Sequence, residues 1–485
     1  MDLDTITPGN RIYFLGIGGT GMSSAAGLMK QAGFFVTGSD NNIYPPTSDI
    51  LRDLEIPIFT PYDEKNISRS QADIFVVGNS ISRGHPELEY ILEKKLSFTS
   101  FPQLLKELIL PERIPVVISG THGKTTCSSL VSHCLHSLGE PCGFFIGGRA
   151  KNFSKNFSLG SSKIFILEGD EYDTSFDDKQ SKFLHYSPKV CLLNNIEFDH
   201  ADIFASLEEV ETSFSSLLSQ VDDPCCIVSN VDSPSVLKVL KNLDLFEKVT
   251  KISPSGFHQQ SADIWLKSNS FCHYSQKECL EIGSNFWGDV TVQTKLLGSH
   301  NAANIIASMG VLGVLQKKQG ILKGLDATHI ADSIQSFKGV DKRLQLLPNK
   351  KDLPVYFDFA HHPSAVKAVL KTLKNLYPSR RLVAAFEPKN ATSRRNILQK
   401  EYEGAFQFCD IALLASPQQD LRIPTKERMD ISSLAGSIGE HSLSFSSHDD
   451  LLNWLLHHIV ASDLLVFMSC GDFSGIHKKF IAKMM

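Results

Sequence analysis

Gly120, Thr121, His122, Gly123, Lys124, Thr125 and Thr126 follow directly on an apolar run, Ile114–Ser119. Glycines let backbone N–H groups approach phosphate oxygens, a lysine neutralises the outer phosphates, and a threonine hydroxyl can ligate Mg²⁺. A helix starting here would add the partial positive charge of its N-terminus to the same anion. The expectation is a nucleoside triphosphate site. Only Thr121 and His122 separate the two glycines, a shorter spacer than in the common phosphate loop. Which threonine meets the metal, Thr125 or Thr126, is open at this level.

A second glycine cluster, Gly16-Ile-Gly-Gly-Thr-Gly21, fits G-x-G-x-x-G between an expected strand, Arg11–Gly16, and an expected helix, Ser23–Ala32. Asp40, next to Ser39, closes the following strand at the separation of a ribose-binding acid. Alone this reads as a dinucleotide turn, with NAD the first candidate, or as a tight turn without a ligand. The diphosphate of a UDP-sugar suits it equally well. Since only the later loop carries a lysine and threonines, two different nucleotides are expected.

Acidic residues cluster at strand ends, the edge where α/β sheets place ligands. Glu168-Gly-Asp-Glu-Tyr-Asp173 closes the apolar stretch Lys163–Glu168, and Asn194-Asn-Ile-Glu-Phe-Asp-His-Ala-Asp202 follows Val190–Asn194. Glu168 and His200 are the favoured metal ligands, because Mg²⁺ takes a few protein ligands and leaves other positions to phosphate and water. Asp170, Asp173 and Asp202 serve equally well as helix caps or first-turn charges. Asp358-Phe-Ala-His-His-Pro363 sits at another strand end. Lys342 and Arg343, at an expected hinge, could reach a phosphate or form a solvated basic pair, and Ser393-Arg-Arg395 is similarly ambiguous.

The elements that must position these residues alternate strand and helix, which implies parallel sheets. One series runs through Phe34–Gly38 and Asp73–Gly78, a second starts near Ile114, and a third contains Pro354–Asp358, Arg381–Phe386 and Asp463–Ser469. Between Ser255 and Trp287 the rhythm weakens into an expected antiparallel edge. At 485 residues the chain exceeds a single core. The expectation is three α/β domains: 1–110, Rossmann-like; 111–337, a P-loop ATPase-like domain; and 338–485, again Rossmann-like. A net charge of −5 offers no general attraction to nucleic acid or anionic membrane. The N-terminus lacks a signal-peptide pattern, and no apolar run is long enough to span a bilayer. Ten cysteines without a C-x-x-C pair point to reduced thiols and a cytoplasmic protein.

Taken together, six segments in order resemble the Mur ligase superfamily: Gly16–Met22, Gly120–Thr126, Glu168–Asp173, Asn194–His200, Gly298–Asn304 and Asp358–Pro363. The resemblance implies an ATP- and Mg²⁺-dependent ligase that joins an amine to the carboxylate of UDP-N-acetylmuramate through an acyl phosphate. Asn41–Pro46, Gly78–Gly84, Glu171–Lys179 with Ser181–Phe183, and Glu197–Phe204 resemble the branch that accepts the murein tripeptide L-alanyl-γ-D-glutamyl-meso-diaminopimelate in cell-wall recycling. Glu387–Arg395 resembles it too, rather than the branch that accepts L-alanine. Two departures stand out: Gly169 in place of the usual alanine, and Lys389-Asn-Ala391 in place of Arg-Ser-Asn.

By residue, the resemblance implies the following roles. Gly18, Gly19, Thr20, Gly21, Met22, Ser39, Asp40, Asn79 and Arg83 hold the UDP-sugar. Gly120 to Thr126 hold ATP; Thr125, Glu168 and His200 hold metal; Lys124 and Arg343 contact phosphate. Asn301 and Asn304 read adenine and Asp358 the ribose. His361, Lys389 and Arg394 face the peptide. An NAD-dependent dehydrogenase would leave Gly120–Thr126 and Glu168 unexplained, and a non-catalytic nucleotide-binding protein would have no need of Glu168, His200 and Asp358 at sheet edges.

Overall fold

The computed structural model describes residues 3–272, 277–348, 352–417 and 423–484. Three α/β sheets carry the chain. The first has five parallel strands, β1 (Arg11–Leu15), β2 (Phe35–Ser39), β3 (Ile58–Phe59), β4 (Ile74–Val77) and β5 (Phe98–Thr99), in the order β3-β2-β1-β4-β5. The order reverses beside β1, so the glycine turn after β1 opens at a topological switch point. Tyr13, Leu15, Phe75 and Val77 pack with Leu88 and Ile91 against one face.

The second sheet has ten strands: β6 (Ile114–Ser119), β7 (Gly143–Phe145), β8 (Phe157–Ser158), β9 (Ile164–Glu168), β10 (Val190–Leu193), β11 (Ile227–Asn230), β12 (Thr250–Ser253), β13 (Ile264–Cys272), β14 (Lys277–Ser284) and β15 (Val290–Thr294). β6 lies between β10 and β9, parallel to both. Val116, Val117 and Ile118 have no exposed surface, as expected of a strand covered on both faces. β13, β14 and β15 pair antiparallel and form one edge, as the weakened sequence rhythm suggested.

The third sheet contains β16 (Gln345–Leu346), β17 (Val355–Asp358), β18 (Arg381–Phe386), β19 (Ile411–Ala415), β20 (Ser442–Phe445) and β21 (Asp463–Met468), in the order β16-β17-β21-β18-β19-β20. Its side chains sort by alternation. Leu382, Ala384 and Phe386 enter one core with Leu464, Val466 and Met468, while Val383 and Ala385 enter the other with Leu465 and Phe467.

The first two sheets belong to one compact unit, residues 1–197, 207–295 and 303–339; the second unit comprises 198–206, 296–302 and 340–485. The helix after the first glycine turn runs from Thr20 to Gln31, three residues earlier than the apolar pattern indicated. Gly19 caps it in an extended conformation, so Thr20, Gly21 and Met22 form its first turn and aim their N–H groups outward. Among the described residues, no two cysteines form a disulfide. Among the described residues, no helix is long and apolar enough to cross a membrane.

Candidate active site

In the first unit, β6 ends at Ser119 and the phosphate loop turns into the helix Lys124–Ser137. Gly123 caps that helix at φ +86°, and a Cβ there would stand 2.2 Å from Asn304 Oδ1. Both the left-handed backbone and the lack of space require glycine. Asn195 clamps the loop: its Oδ1 accepts the His122 N–H at 2.7 Å, and its Nδ2 donates to the His122 carbonyl at 3.1 Å. The Thr121 hydroxyl accepts the Glu197 N–H at 2.9 Å and donates to the Glu197 carbonyl at 3.2 Å.

Lys124 Nζ donates to the Gly120 and Thr121 carbonyls at 2.8 and 3.2 Å, and to both oxygens of Glu171 at 3.0 and 2.8 Å. Burial pulls the ammonium's pKa down, but the Glu171 carboxylate, with Asp170 and Glu168 further off, outweighs it and raises the pKa. Lys124 is therefore a fixed positive charge at the mouth of the loop. Thr125, not Thr126, meets Glu168: its hydroxyl donates to Glu168 Oε1 at 2.8 Å, while Oε2 accepts the Gly147 N–H at 2.7 Å. A hydroxyl and a carboxylate side by side form a hard-oxygen set that fits Mg²⁺ with phosphate and water completing the shell.

Asn304 packs against the loop. Its Oδ1 accepts from Asn194 Nδ2 at 3.3 Å and from the Cys127 thiol at 3.5 Å. In the first glycine turn, the Gly16 and Ile17 N–H groups donate to the Ser39 carbonyl at 2.9 and 3.1 Å. The Asp40 carboxylate accepts the Gly18 N–H at 2.9 Å and the Asn42 N–H at 3.2 Å. Asp40 braces the turn itself. The Ser39 hydroxyl donates to the fully buried Glu87. Asn79 Nδ2 donates to Asp173 Oδ1 at 2.9 Å, and Arg83 is exposed and paired with Glu89 at 2.8 Å.

The second unit carries the remaining candidates. Both oxygens of Asp358, at the end of β17, accept backbone N–H groups, from Leu344 at 2.6 Å and Ala360 at 2.7 Å. Burial raises its pKa, against the opposing effects of Arg343 and those two donors. Asp358 therefore shapes the turn that carries Arg343, whose guanidinium lies 4.7 Å from the centre of the Phe359 ring. His361 presents Nε2 to Asp199 at 3.5 Å and Nδ1 to the Phe359 carbonyl at 3.0 Å. Burial would raise the Asp199 pKa, but the hydrogen bond from His361 and the charges of His200, His361 and His362 hold it well below the usual carboxylate range. His200 follows in a left-handed conformation, φ +57°. Asn301 Nδ2 donates to the Leu297 carbonyl at 2.8 Å.

Lys389 lies with its stem across Gly471 and its Nζ 3.7 Å from Glu387, which is buried and accepts the Ser469 hydroxyl at 2.5 Å. Lys342 Nζ donates to the Gly471 carbonyl at 3.1 Å, so two lysines converge on one glycine. The Arg394 N–H donates to the Asn390 carbonyl at 3.2 Å. Sequence reasoning missed Glu171, Asn195 and Glu387 as partners. Each stands inside or beside a segment already singled out, and two buried acids next to essential-looking lysines were the available signal.

Three family profiles match in order: "Mur ligase family, catalytic domain" over residues 11–113, "Mur ligase middle domain" over 118–312, and "Mur ligase, glutamate ligase domain" over 342–471. The chain is 31% identical to the UDP-N-acetylmuramate–L-alanyl-γ-D-glutamyl-meso-2,6-diaminoheptandioate ligase of Haemophilus influenzae, over 98% of this chain and 99% of that one. The chain belongs to the Mur ligase family. A UDP-N-acetylmuramate–L-alanine ligase of Clostridium acetobutylicum is 27% identical over 98% of both chains. Among solved structures, the murein peptide ligase of Psychrobacter arcticus matches with a TM-score of 0.71 at 29% identity, covering 98% of each chain. The phosphate loop, Glu168 and the first glycine turn fall within the matched segments of this Mur ligase.

Proposed function

We propose that this Mur ligase joins L-alanyl-γ-D-glutamyl-meso-diaminopimelate to UDP-N-acetylmuramate, using ATP and Mg²⁺, as a cytoplasmic step of peptidoglycan recycling. The supporting observation is the phosphate loop, with Lys124 held by Glu171 and Thr125 by Glu168, in a chain similar over its full length to a ligase of that name. The three domains divide near residues 110 and 337.

A carboxylate does not react with an amine at neutral pH until it is activated. The lactyl carboxylate attacks the γ-phosphorus of ATP, the bond to the bridging oxygen breaks, and ADP leaves an acyl phosphate. The peptide's amine then attacks the acyl carbon, loses a proton and expels inorganic phosphate. Lys124 neutralises charge on the phosphoryl oxygens, and Arg343 supplies a second cation. Thr125 would hold a first Mg²⁺ and Glu168 and His200 a second, and the ions would shield the phosphates. Gly18 to Met22, with Ser39, Asp40, Asn79 and Arg83, hold the UDP-sugar. Asn301 and Asn304 would read the adenine of ATP, and Asp358 its ribose. His361, Lys389 and Arg394 take the peptide.

L-alanine as the amine is the second reading, favoured by the 27% identity to an alanine ligase. Phosphate release with ATP, UDP-N-acetylmuramate and either amine separates the two. Turnover is expected with the tripeptide; turnover with L-alanine alone would select the second reading.

A further inference from the structure

A continuous chain of hydrogen bonds joins the first glycine turn to Glu168. Thr20 is the first residue of the helix Thr20–Gln31, and its carbonyl accepts the Ser24 hydroxyl at 2.8 Å. Ser24 Oγ in turn accepts from Asn156 Nδ2 at 2.9 Å, across 132 residues of sequence. The other Nδ2 hydrogen goes to the Ile146 carbonyl at 2.7 Å. The next residue, Gly147, donates its N–H to Glu168 Oε2, and Glu168 Oε1 receives the Thr125 hydroxyl.

Asn156 is the joint of this chain. It is 5% exposed, and the orientation of its amide is fixed, because the Ile146 carbonyl can only accept. Its Oδ1 is buried and has no hydrogen-bond partner among the described residues. The position therefore gains from asparagine two donors, each aimed at a different sheet's machinery, and leaves the acceptor unused. The neighbouring Phe157 keeps the two parts in register: a Cβ on Gly27 would stand 2.1 Å from its ring, so the helix rests directly on it.

We propose that Asn156 is a positioning residue that couples the UDP-sugar site to the metal-nucleotide site, by tying the helix at the first glycine turn to the backbone that orients Glu168. This rests on the reading of Glu168 as a metal ligand. Occupancy of the turn steadies the helix, Ser24 and Asn156, and with them the Ile146–Gly147 peptide that donates to Glu168. By linkage, each ligand tightens the other by the same factor.

Binding of Mg·ADP to the full-length protein, measured by isothermal titration with and without saturating UDP-N-acetylmuramate, tests this. UDP-N-acetylmuramate is expected to tighten Mg·ADP binding about fivefold or more in the unaltered protein. Ser24→Ala keeps the Asn156–Ile146 bond but breaks the tie to the helix, and should abolish the coupling. Asn156→Ala should abolish it as well, and also raise the Mg²⁺ concentration for half-maximal nucleotide binding several-fold. If Asn156→Ala does not fold, Ser24→Ala decides alone. Unaltered coupling in Ser24→Ala, or no coupling in the parent protein, overturns the proposal. Glu168→Gln separates the two ideas. If it leaves Mg²⁺-dependent nucleotide binding intact, the reading of Glu168 fails; if it abolishes binding while Ser24→Ala keeps the coupling, only the role of Asn156 fails.

Discussion

Glu171 holds the position on which the phosphate-loop chemistry turns. Its carboxylate is 2% exposed and spends both oxygens on Lys124. Glu171→Gln removes the charge but keeps the shape. It should lower kcat by roughly 10–100-fold, the usual cost of losing a group that orients an active-site residue, with the KM for UDP-N-acetylmuramate little changed. A kcat within twofold of the parent would contradict this role. At Gly123, Ala would have to adopt φ +86° and displace Asn304. A loss of about 1–3 kcal/mol in denaturant unfolding is expected, and unchanged stability would show the loop to be adaptable. The loop itself was legible because its chemistry is local, seven residues in a row. Glu171 was half legible, as an acid within a motif whose first glutamate drew attention. The Asn156–Ser24 contact was not legible, because nothing near either residue marks a partner 132 positions away.

Among the elements, alternation and strand-end position made the sheets legible: β6 and β18 begin and end where the apolar runs do. The start of the helix after the first turn was not, because Thr20, Gly21 and Met22 lack an amphipathic pattern and their helicity follows from the extended cap at Gly19. Buried histidines make a prediction at this scale. Burial, with the Arg343 charge adding to it, pushes His300 down to about 4; burial also lowers His477 to about 4. An unfolded imidazole titrates near about 6.5. Between these values the unfolded chain binds protons that the native chain does not, so stability is fully present above about pH 6.5 and is lost as pH falls toward 4. Asp199, with its lowered pKa, adds stability that persists through this window and disappears only at lower pH. Urea unfolding midpoints should therefore fall between pH 7 and 4.5, and His300→Gln or His477→Gln should flatten the fall. A flat profile in the parent would contradict the buried neutral state of both rings.

For the whole molecule, two glycine turns on two sheets of one compact unit imply two separable nucleotide sites. Lys124→Ala should abolish turnover while UDP-N-acetylmuramate still binds with its parental affinity; loss of both would argue against separate sites. The order of the six motifs made the family legible before any fold was seen. The setting of Lys389 was harder to read, because it comes from Glu387, Ser469 and Gly471, two of them on a segment some eighty residues further along. The most direct measurement is phosphate release by the intact protein given ATP, Mg²⁺ and UDP-N-acetylmuramate, with L-alanyl-γ-D-glutamyl-meso-diaminopimelate or L-alanine, and mass analysis of the product. Release that requires both the sugar nucleotide and the tripeptide, with one amide formed per phosphate, is the expected result. No release with any muramyl acceptor and amine, or release with L-alanine in place of the tripeptide, would contradict it.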